Sequence, residues 1–293
     1  MKKTTLDNIT QAVINSGDGG KTHPRLYQIY TSLVRYLHEF VQEVNLTNQE
    51  LQVGLNFLTR LGRPYLDMPK GEFYMLPDLI GLSELVTLLH DTNHEIATES
   101  NLEGPMYRPN AQERQMGDSL GVDEDGETLL LSGRISDLNG KPIANAIIDV
   151  WQPNSKGFYD LQDSNQSSDN FRGRFKTGSN GRYTFKTVIP GSYQVPDNGP
   201  SGELLRLLGR HPWRAAHIHI KLDAPTYTPL TTQIYIGGTP YLDSDVTFSV
   251  RSAVIYPQKH ESAIDKAHNQ DKPFYTANFD FVLKSAVEQA KVA

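Results

Sequence analysis

Two histidines two residues apart are the first chemistry the sequence offers. His217-Ile218-His219 lies in an alternating run, with His217, His219 and Lys221 on one face and Ile218, Ile220 and Leu222 on the other. Side chains at i and i+2 of a strand point the same way, so both imidazoles can reach one point. Such a pair suits Zn, Fe, Cu or Ni. Arg214 brings a cation to the start of the same strand. Tyr159 ends Gly157-Phe158-Tyr159, just after a strand-like run closing on Trp151, and Tyr193 sits in Gly191-Ser192-Tyr193-Gln194-Val195-Pro196. Taken singly, each tyrosine reads as a turn residue packed over its loop, Arg214 as a surface ion pair and Gln233 as a strand residue bonded to backbone. The 293 residues include no cysteine, which excludes disulfides, thiolate zinc sites, iron–sulfur clusters and a cysteine nucleophile. Any metal must therefore be held by His, Asp, Glu or Tyr. A zinc hydrolase built on His217 and His219 stays open, with Asp149 and Asp160 near in sequence but no third ligand at an obvious spacing.

Lys and Arg number 28 against 34 Asp and Glu, a net charge of −6, so no nucleic-acid partner is expected. The composition, 38% hydrophobic and 21% charged, is that of a globular protein. Met1–Thr10 has no apolar core and reads as no signal peptide, and no apolar run approaches the roughly 18 residues of a membrane span. The expectation is a cytoplasmic protein with no membrane partner. Gly20-Lys21-Thr22 resembles the end of a phosphate-binding loop, but the required first glycine is Asn15.

The elements that must position these residues fall into two unlike parts. Residues 1–105 read as helical, with Leu26, Ile29, Leu33, Leu37 and Phe40 forming an apolar stripe. Thr47-Asn48-Gln49-Glu50 has capping-box form before Leu51, Leu55 and Leu58, and a third helix is predicted over about Asp78 to Ile96. The apolar surface exceeds what one small bundle needs, so part of it is expected to face a second subunit. Residues 106–293 read as short β-prone runs between turn signals, the clearest being Thr128–Ile135, Ala146–Trp151, Arg182–Val188, His217–Leu222, Thr231–Ile236 and Asn278–Leu283. The rhythm predicts an antiparallel β-sandwich, hence an α+β chain, with Asn180-Gly181 as a hairpin turn.

At this point the residues carry a family resemblance. Trp151-Gln152-Pro153-Asn154, Gly157-Phe158-Tyr159, Phe171-Arg172-Gly173, Gly181-Arg182-Tyr183, Pro190 with Tyr193, Gly209-Arg210-His211-Pro212, Arg214 to His219 and Leu230-Thr231-Thr232-Gln233 closely resemble the intradiol ring-cleaving dioxygenases in order and spacing. Glu103-Gly104-Pro105-Met106-Tyr107-Arg108 resembles that family's lead-in to its sandwich, and the helical part resembles the linker domain of its catechol branch. One departure is Ala215, where the family usually has proline. The resemblance implies a mononuclear, non-haem Fe(III) centre held by Tyr159, Tyr193, His217 and His219. It implies insertion of both atoms of O2 between two adjacent hydroxyl-bearing ring carbons of a catechol-type substrate, giving a muconate-type dicarboxylate. Tyr193 would leave the metal and take a substrate proton, Arg214 would stabilise anionic character on the ring, and Gln233 would hydrogen-bond near the metal. It also implies a homodimer through the helical domain, with a bound phospholipid between subunits.

By family position, Asp78, Leu102, Pro105, Met106, Val195 and Val246 are expected to line the substrate pocket. Asp78 resembles the hydroxyquinol and chlorocatechol branches and could accept a hydrogen bond from a third ring hydroxyl, or it could simply cap a helix. Gly209 to Arg214 and Leu242-Asp243-Ser244-Asp245 look like the hydroxyquinol branch, whereas Glu103 to Met106 look like the catechol branch. The reading favours hydroxyquinol (benzene-1,2,4-triol, giving maleylacetate), with catechol or chlorocatechol as the alternative. Gly133 to Gln152 followed by Gly181 to Phe185 also resembles non-catalytic transthyretin-like binding modules, which have no reason to carry both tyrosines and the histidine pair.

Overall fold

A computed structural model describes residues 5–16, 23–63, 72–91, 96–261 and 273–286. The chain forms two compact units, Met1–Arg63 and Pro64–Ala293.

The first unit contains helices α1 (Ile9–Ser16), α2 (Pro24–Glu43) and α3 (Asn48–Leu61). Pro24 opens α2, where a missing N–H costs nothing. The capping box of α3 forms: Thr47 Oγ1 accepts from the Glu50 amide at 3.2 Å, and the Glu50 carboxylate accepts from the Thr47 amide at 2.9 Å. On α2 only Val34 is buried, and the stripe of Leu26, Ile29, Leu33, Leu37 and Phe40 stays half-exposed.

In the second unit the helix predicted over Asp78–Ile96 is broken. A single turn, Phe73–Met75, leads into α4 (Leu76–Leu79), and α5 (Leu82–His90) follows. Gly81 between them adopts φ +74°, a left-handed conformation that stops one helix and starts the next. Residues 92–95, on which the predicted helix end falls, lie outside the described residues. Asp78 lies inside α4 instead of capping it, with Ser83 of α5 near its carboxylate.

Two five-stranded sheets follow. In the first, β1 (Thr128–Asp137) pairs antiparallel with β4 (Arg182–Val188) and parallel with β11 (Phe274–Asn278) and β12 (Phe281–Leu283), and β10 (Gln258–His260) flanks β11. The second runs in the order β3 (Arg172–Lys176), β2 (Ile147–Trp151), β7 (His217–Asp223), β8 (Leu230–Ile236), β9 (Val254–Ile255). One apolar core draws Leu129, Leu131, Phe185 and Phe281 from the first sheet and Ile148, Phe175, Ile218, Ile220 and Ile234 from the second. A short ribbon of β5 (Tyr193–Gln194) and β6 (Trp213–Arg214) stands apart, and α6 (Pro200–Leu207) lies between its strands in sequence.

Two expectations change here. The sheets are mixed rather than wholly antiparallel, because β11, β12 and β9 join β1 and β8 in parallel. Parallel pairing needs a crossover, which local turn signals do not announce. Asn180-Gly181 is a turn, with Gly181 at φ +67°, but not a hairpin. The strand before it, β3, pairs with β2, and the strand after it, β4, pairs with β1, so the chain there crosses from one sheet to the other.

Replacing Thr47 with alanine removes the side-chain acceptor at the start of α3. The expected cost is about 1 kcal/mol, read by urea denaturation; an unchanged midpoint would show that the cap does not hold this helix.

Candidate active site

Strand β7 places His217 and His219 on one face by its two-residue period. Their Nε2 atoms lie 3.1 Å apart. Two nitrogens each about 2.1 Å from one metal ion and at right angles to each other would be separated by about 3.0 Å. His217 Nδ1 lies 2.7 Å from the Ala215 carbonyl. A carbonyl only accepts, so Nδ1 carries the proton and Nε2 presents its lone pair. The β2–β7 register sets Trp151 opposite His219, and the two rings stack at 4.7 Å and 7°. Gly104, at φ +71°, passes the same imidazole, and a Cβ there would stand 3.5 Å from its Cε1.

The tyrosines arrive on loops held against one another. Asn154 Oδ1 accepts from the amides of Lys156 and Phe158, both at 3.0 Å, and so folds the chain leading to Tyr159. Gly157, at φ +88°, lets this loop approach the next: a Cβ there would lie 2.5 Å from the Ser192 carbonyl. The Tyr159 and Tyr193 rings consequently meet edge to face at 5.5 Å. Behind Tyr159, Asp160 accepts from Arg172 Nε and Nη2 at 2.9 and 2.7 Å and pairs with Arg108. Burial opposes the charge on Asp160, but Arg172 and Arg108 hold its carboxyl below the ordinary range. Arg172 Nη1 also donates to the Met106 carbonyl at 2.6 Å, joining the tyrosine loop to the cleft wall.

The two tyrosines differ. Tyr159 is 1% exposed. Its hydroxyl has no well-formed hydrogen bond among the described residues; burial, then the neighbouring Tyr193 hydroxyl, push its pKa well above the ordinary value. Tyr193 is half-buried, on a ribbon of two residues per strand, directly opposite Arg214 in register.

Arg214 is not on the surface. It is 4% exposed and donates through Nη2 to Gln233 Oε1 at 2.8 Å, Tyr235 Oη at 3.0 Å and Ser249 Oγ at 2.6 Å. Its Nη1 lies 3.4 Å from Tyr193 Oη and 3.2 Å from His217 Nε2. Burial works against the charge, but Asp245 and the surrounding hydroxyls keep it firmly protonated. The amide of Gln233 is committed on both sides, Oε1 to Arg214 and Nε2 to the Leu102 carbonyl at 2.7 Å. Burial, then Arg214, lower the pKa of His217 to about 3. Burial, His217 and Arg214 likewise drive His219 well below its usual range. Both rings are therefore neutral near pH 7, the state a metal requires.

These donors fit a metal ion. Two neutral imidazoles converge, and beside them stands a buried phenol whose hydroxyl has no well-formed hydrogen bond among the described residues. No group of three or more His, Asp or Glu is placed to hold a metal among the described residues, so a metal here would depend on the tyrosines.

A cleft of about 60 Å³ opens onto Tyr193 and Arg214, lined also by Tyr74, Asp78, Leu102, Pro105, Met106 and Val195. Val246 borders a neighbouring groove instead and packs with Leu79, Leu205 and Val195 behind the cleft wall. Sequence reasoning passed over Gln162 and Thr247, which line the cleft, and Tyr235 and Ser249, which bond Arg214. Tyr235 was findable, since it stands opposite His217 on the same strand as Gln233; Ser249 and Thr247 sit in a loop with no periodic signal.

A family model described as "Catechol dioxygenase N terminus" matches residues 23–98, and one described as "Dioxygenase" matches residues 102–285. The chain is 38% identical over 283 residues to a 6-chlorohydroxyquinol 1,2-dioxygenase of Cupriavidus pinatubonensis, covering 97% of this chain and 99% of that protein. It is 38% identical over 264 residues to a hydroxyquinol 1,2-dioxygenase of a Rhizobium species, covering 89% of each. The solved structure of a hydroxyquinol 1,2-dioxygenase from Pseudomonas putida matches with a TM-score of 0.88 at 35% identity, covering 96% of this chain and 98% of that one. With matches running the length of both parts of the chain, this protein belongs to the intradiol ring-cleavage dioxygenases, oxidoreductases that generally depend on non-haem iron.

Proposed function

We propose that the chain is a hydroxyquinol 1,2-dioxygenase that cleaves benzene-1,2,4-triol between its adjacent hydroxyl-bearing carbons, with both atoms of O2 entering the product, maleylacetate. The observation that carries this reading is Asp78 in the same cleft as Tyr193 and Arg214. Burial pushes its carboxyl pKa upward, with the Ser83 side chain and Arg214 opposing. A partly desolvated carboxylate gains from one more donor, which a third ring hydroxyl supplies and catechol lacks. The relatives named above point the same way.

The metal in this reading is one Fe(III) per chain, held by Tyr159, Tyr193, His217 and His219. When bound, ferric iron would supply Lewis acidity that activates the substrate ring toward O2. Two phenolates would offset most of its charge, so the ion tolerates burial. The chain's own residues then divide the work. Tyr159, fully buried, stays in place. Tyr193, at the cleft and on the slighter element, is the group free to swing aside, and its Oη takes a proton from a substrate hydroxyl. A cleft of about 60 Å³ is small beside the roughly 150 Å³ of a cavity that accepts benzene, so a ring enters as Tyr193 withdraws. The Arg214 guanidinium, already oriented, stabilises negative charge developing on the ring. Gln233 holds Arg214 and ties it to the Leu102 wall. Trp151 and the cleft wall exclude water from the His219 side.

The two sheets and their shared core read as the family's β-sandwich, spanning residues 106–293, and the helical part, residues 1–105, as its linker and dimerisation domain. The half-exposed stripe on α2 supports a homodimer through that domain, with a phospholipid among its apolar side chains. No helix among the described residues is long and apolar enough to cross a membrane, and the cytoplasm is the proposed location.

Oxygen uptake and product spectra across catechol, 4-chlorocatechol and hydroxyquinol test the substrate directly. The triol should give the highest kcat/KM; catechol as best substrate would contradict the assignment. Asp78→Ala should lower kcat/KM for the triol about 10- to 100-fold, as expected for losing a hydrogen bond to a charged group, and leave catechol nearly unchanged. Equal losses on both would remove Asp78 from substrate choice. Light scattering at micromolar protein should give a dimer mass, and a monomer would sink the subunit contact.

A further inference from the structure

Asp245 is 4% exposed and lies outside the proposed donor set. Its two oxygens do different things. Oδ1 lies 3.4 Å from Arg214 Nε and accepts from the Thr247 amide at 3.0 Å and Thr247 Oγ1 at 2.6 Å. Oδ2 accepts from the Ala215 amide at 2.9 Å. The carbonyl of the same Ala215 accepts from His217 Nδ1 at 2.7 Å. The carboxylate is itself fixed, because Thr247 Oγ1 lies 2.6 Å from Ser249 Oγ, which accepts from Arg214 Nη2 at 2.6 Å. A buried carboxylate held by this many donors has one orientation.

We propose that Asp245 is the positioning residue that sets Arg214 and His217 together, the guanidinium directly and the imidazole through the backbone N–H and carbonyl of Ala215. Residue 215 is gripped at its N–H by Asp245 and at its carbonyl by His217. Proline at this position would have no N–H to offer. Alanine keeps that donor, and the hydrogen bond to Asp245 supplies the stiffness that a proline ring would otherwise give the approach to β7. The catalytic half of the inference rests on the role given to Arg214 above.

Asp245→Asn tests both halves, because an amide has a single acceptor oxygen and cannot serve Arg214 and Ala215 at once. Turnover per bound iron, relative to the parent protein, is measured for Asp245→Asn, Arg214→Gln and the double variant, alongside iron loss to a competing chelator. Asp245→Asn should lower kcat per iron about 10-fold or more in the wild-type background and by less than about 2-fold in the Arg214→Gln background, because the two act as one unit. It should also speed iron loss in both backgrounds, because His217 is loosened whether or not Arg214 is present. Thr247→Val keeps the charge pair and removes one donor to Oδ1, and it should show both effects at smaller size. Full turnover in Arg214→Gln alone would overturn the reading of Arg214 itself. If that variant is impaired, equal fold-losses for Asp245→Asn in the two backgrounds would overturn the positioning role, as would iron loss at the wild-type rate in both Asp245→Asn and Thr247→Val.

Discussion

A buried positive charge that cannot be given up organises this site. Arg214 stays protonated at any pH the protein meets, and it sits 4% exposed among groups that must offset its desolvation. Asp245, Gln233, Tyr193, Tyr235 and Ser249 all face it. The same charge makes any second cation nearby expensive. Burial first, and this charge after it, keep His217 and His219 neutral. A metal ion placed against them needs anions of its own, and with no cysteine in the chain and no group of three or more His, Asp or Glu placed to hold a metal among the described residues, the tyrosines are the candidates. In the proposed ferric centre, the Tyr159 phenol, whose pKa is high in the protein alone, would become a phenolate beside the ion.

The fold meets that demand by register. Trp151, His219 and Gln233 stand in a row across β2, β7 and β8, and His217 faces Tyr235 two pairs along, on the same face. The ribbon pairs Tyr193 with Arg214. Rigid sheet therefore carries the imidazoles and two of the residues bracing the guanidinium, Gln233 and Tyr235, while Tyr193, the group proposed to move for substrate to enter, hangs on a two-residue strand. The core of the second unit keeps those registers, since a slip of one residue would turn the imidazoles to the opposite face.

Much of this was legible in the residues, for physical reasons that differ by element. The H-x-H pair announces its common face because a strand has a period of two, and the capping box at Thr47 announces α3 because its acceptors lie within four residues. Arg182–Val188 reads as a strand from its own side chains and is β4 to the residue. What local sequence could not carry was partner choice. Asn180-Gly181 has the right turn chemistry for a hairpin, yet the strands either side of it join different sheets. The parallel pairing of β11 and β12 with β1 depends on contacts across more than a hundred residues. Within the site, the histidine pair was read from its spacing and the tyrosines were named on a family resemblance, and the geometry adds the braces. Asp245, Thr247 and Ser249 come from a loop some thirty residues after Arg214, where no periodicity marks them, and only folding brings them under the guanidinium.

In the proposed centre, two tyrosines and two histidines hold ferric iron. The visible absorption spectrum of the purified protein, read against its iron and zinc content, tests it most directly. Phenolate-to-iron charge transfer predicts a wine-red protein with a broad visible band in proportion to bound iron, weakened or shifted when Tyr159 is replaced by phenylalanine. A colourless protein carrying stoichiometric zinc and no iron would contradict it.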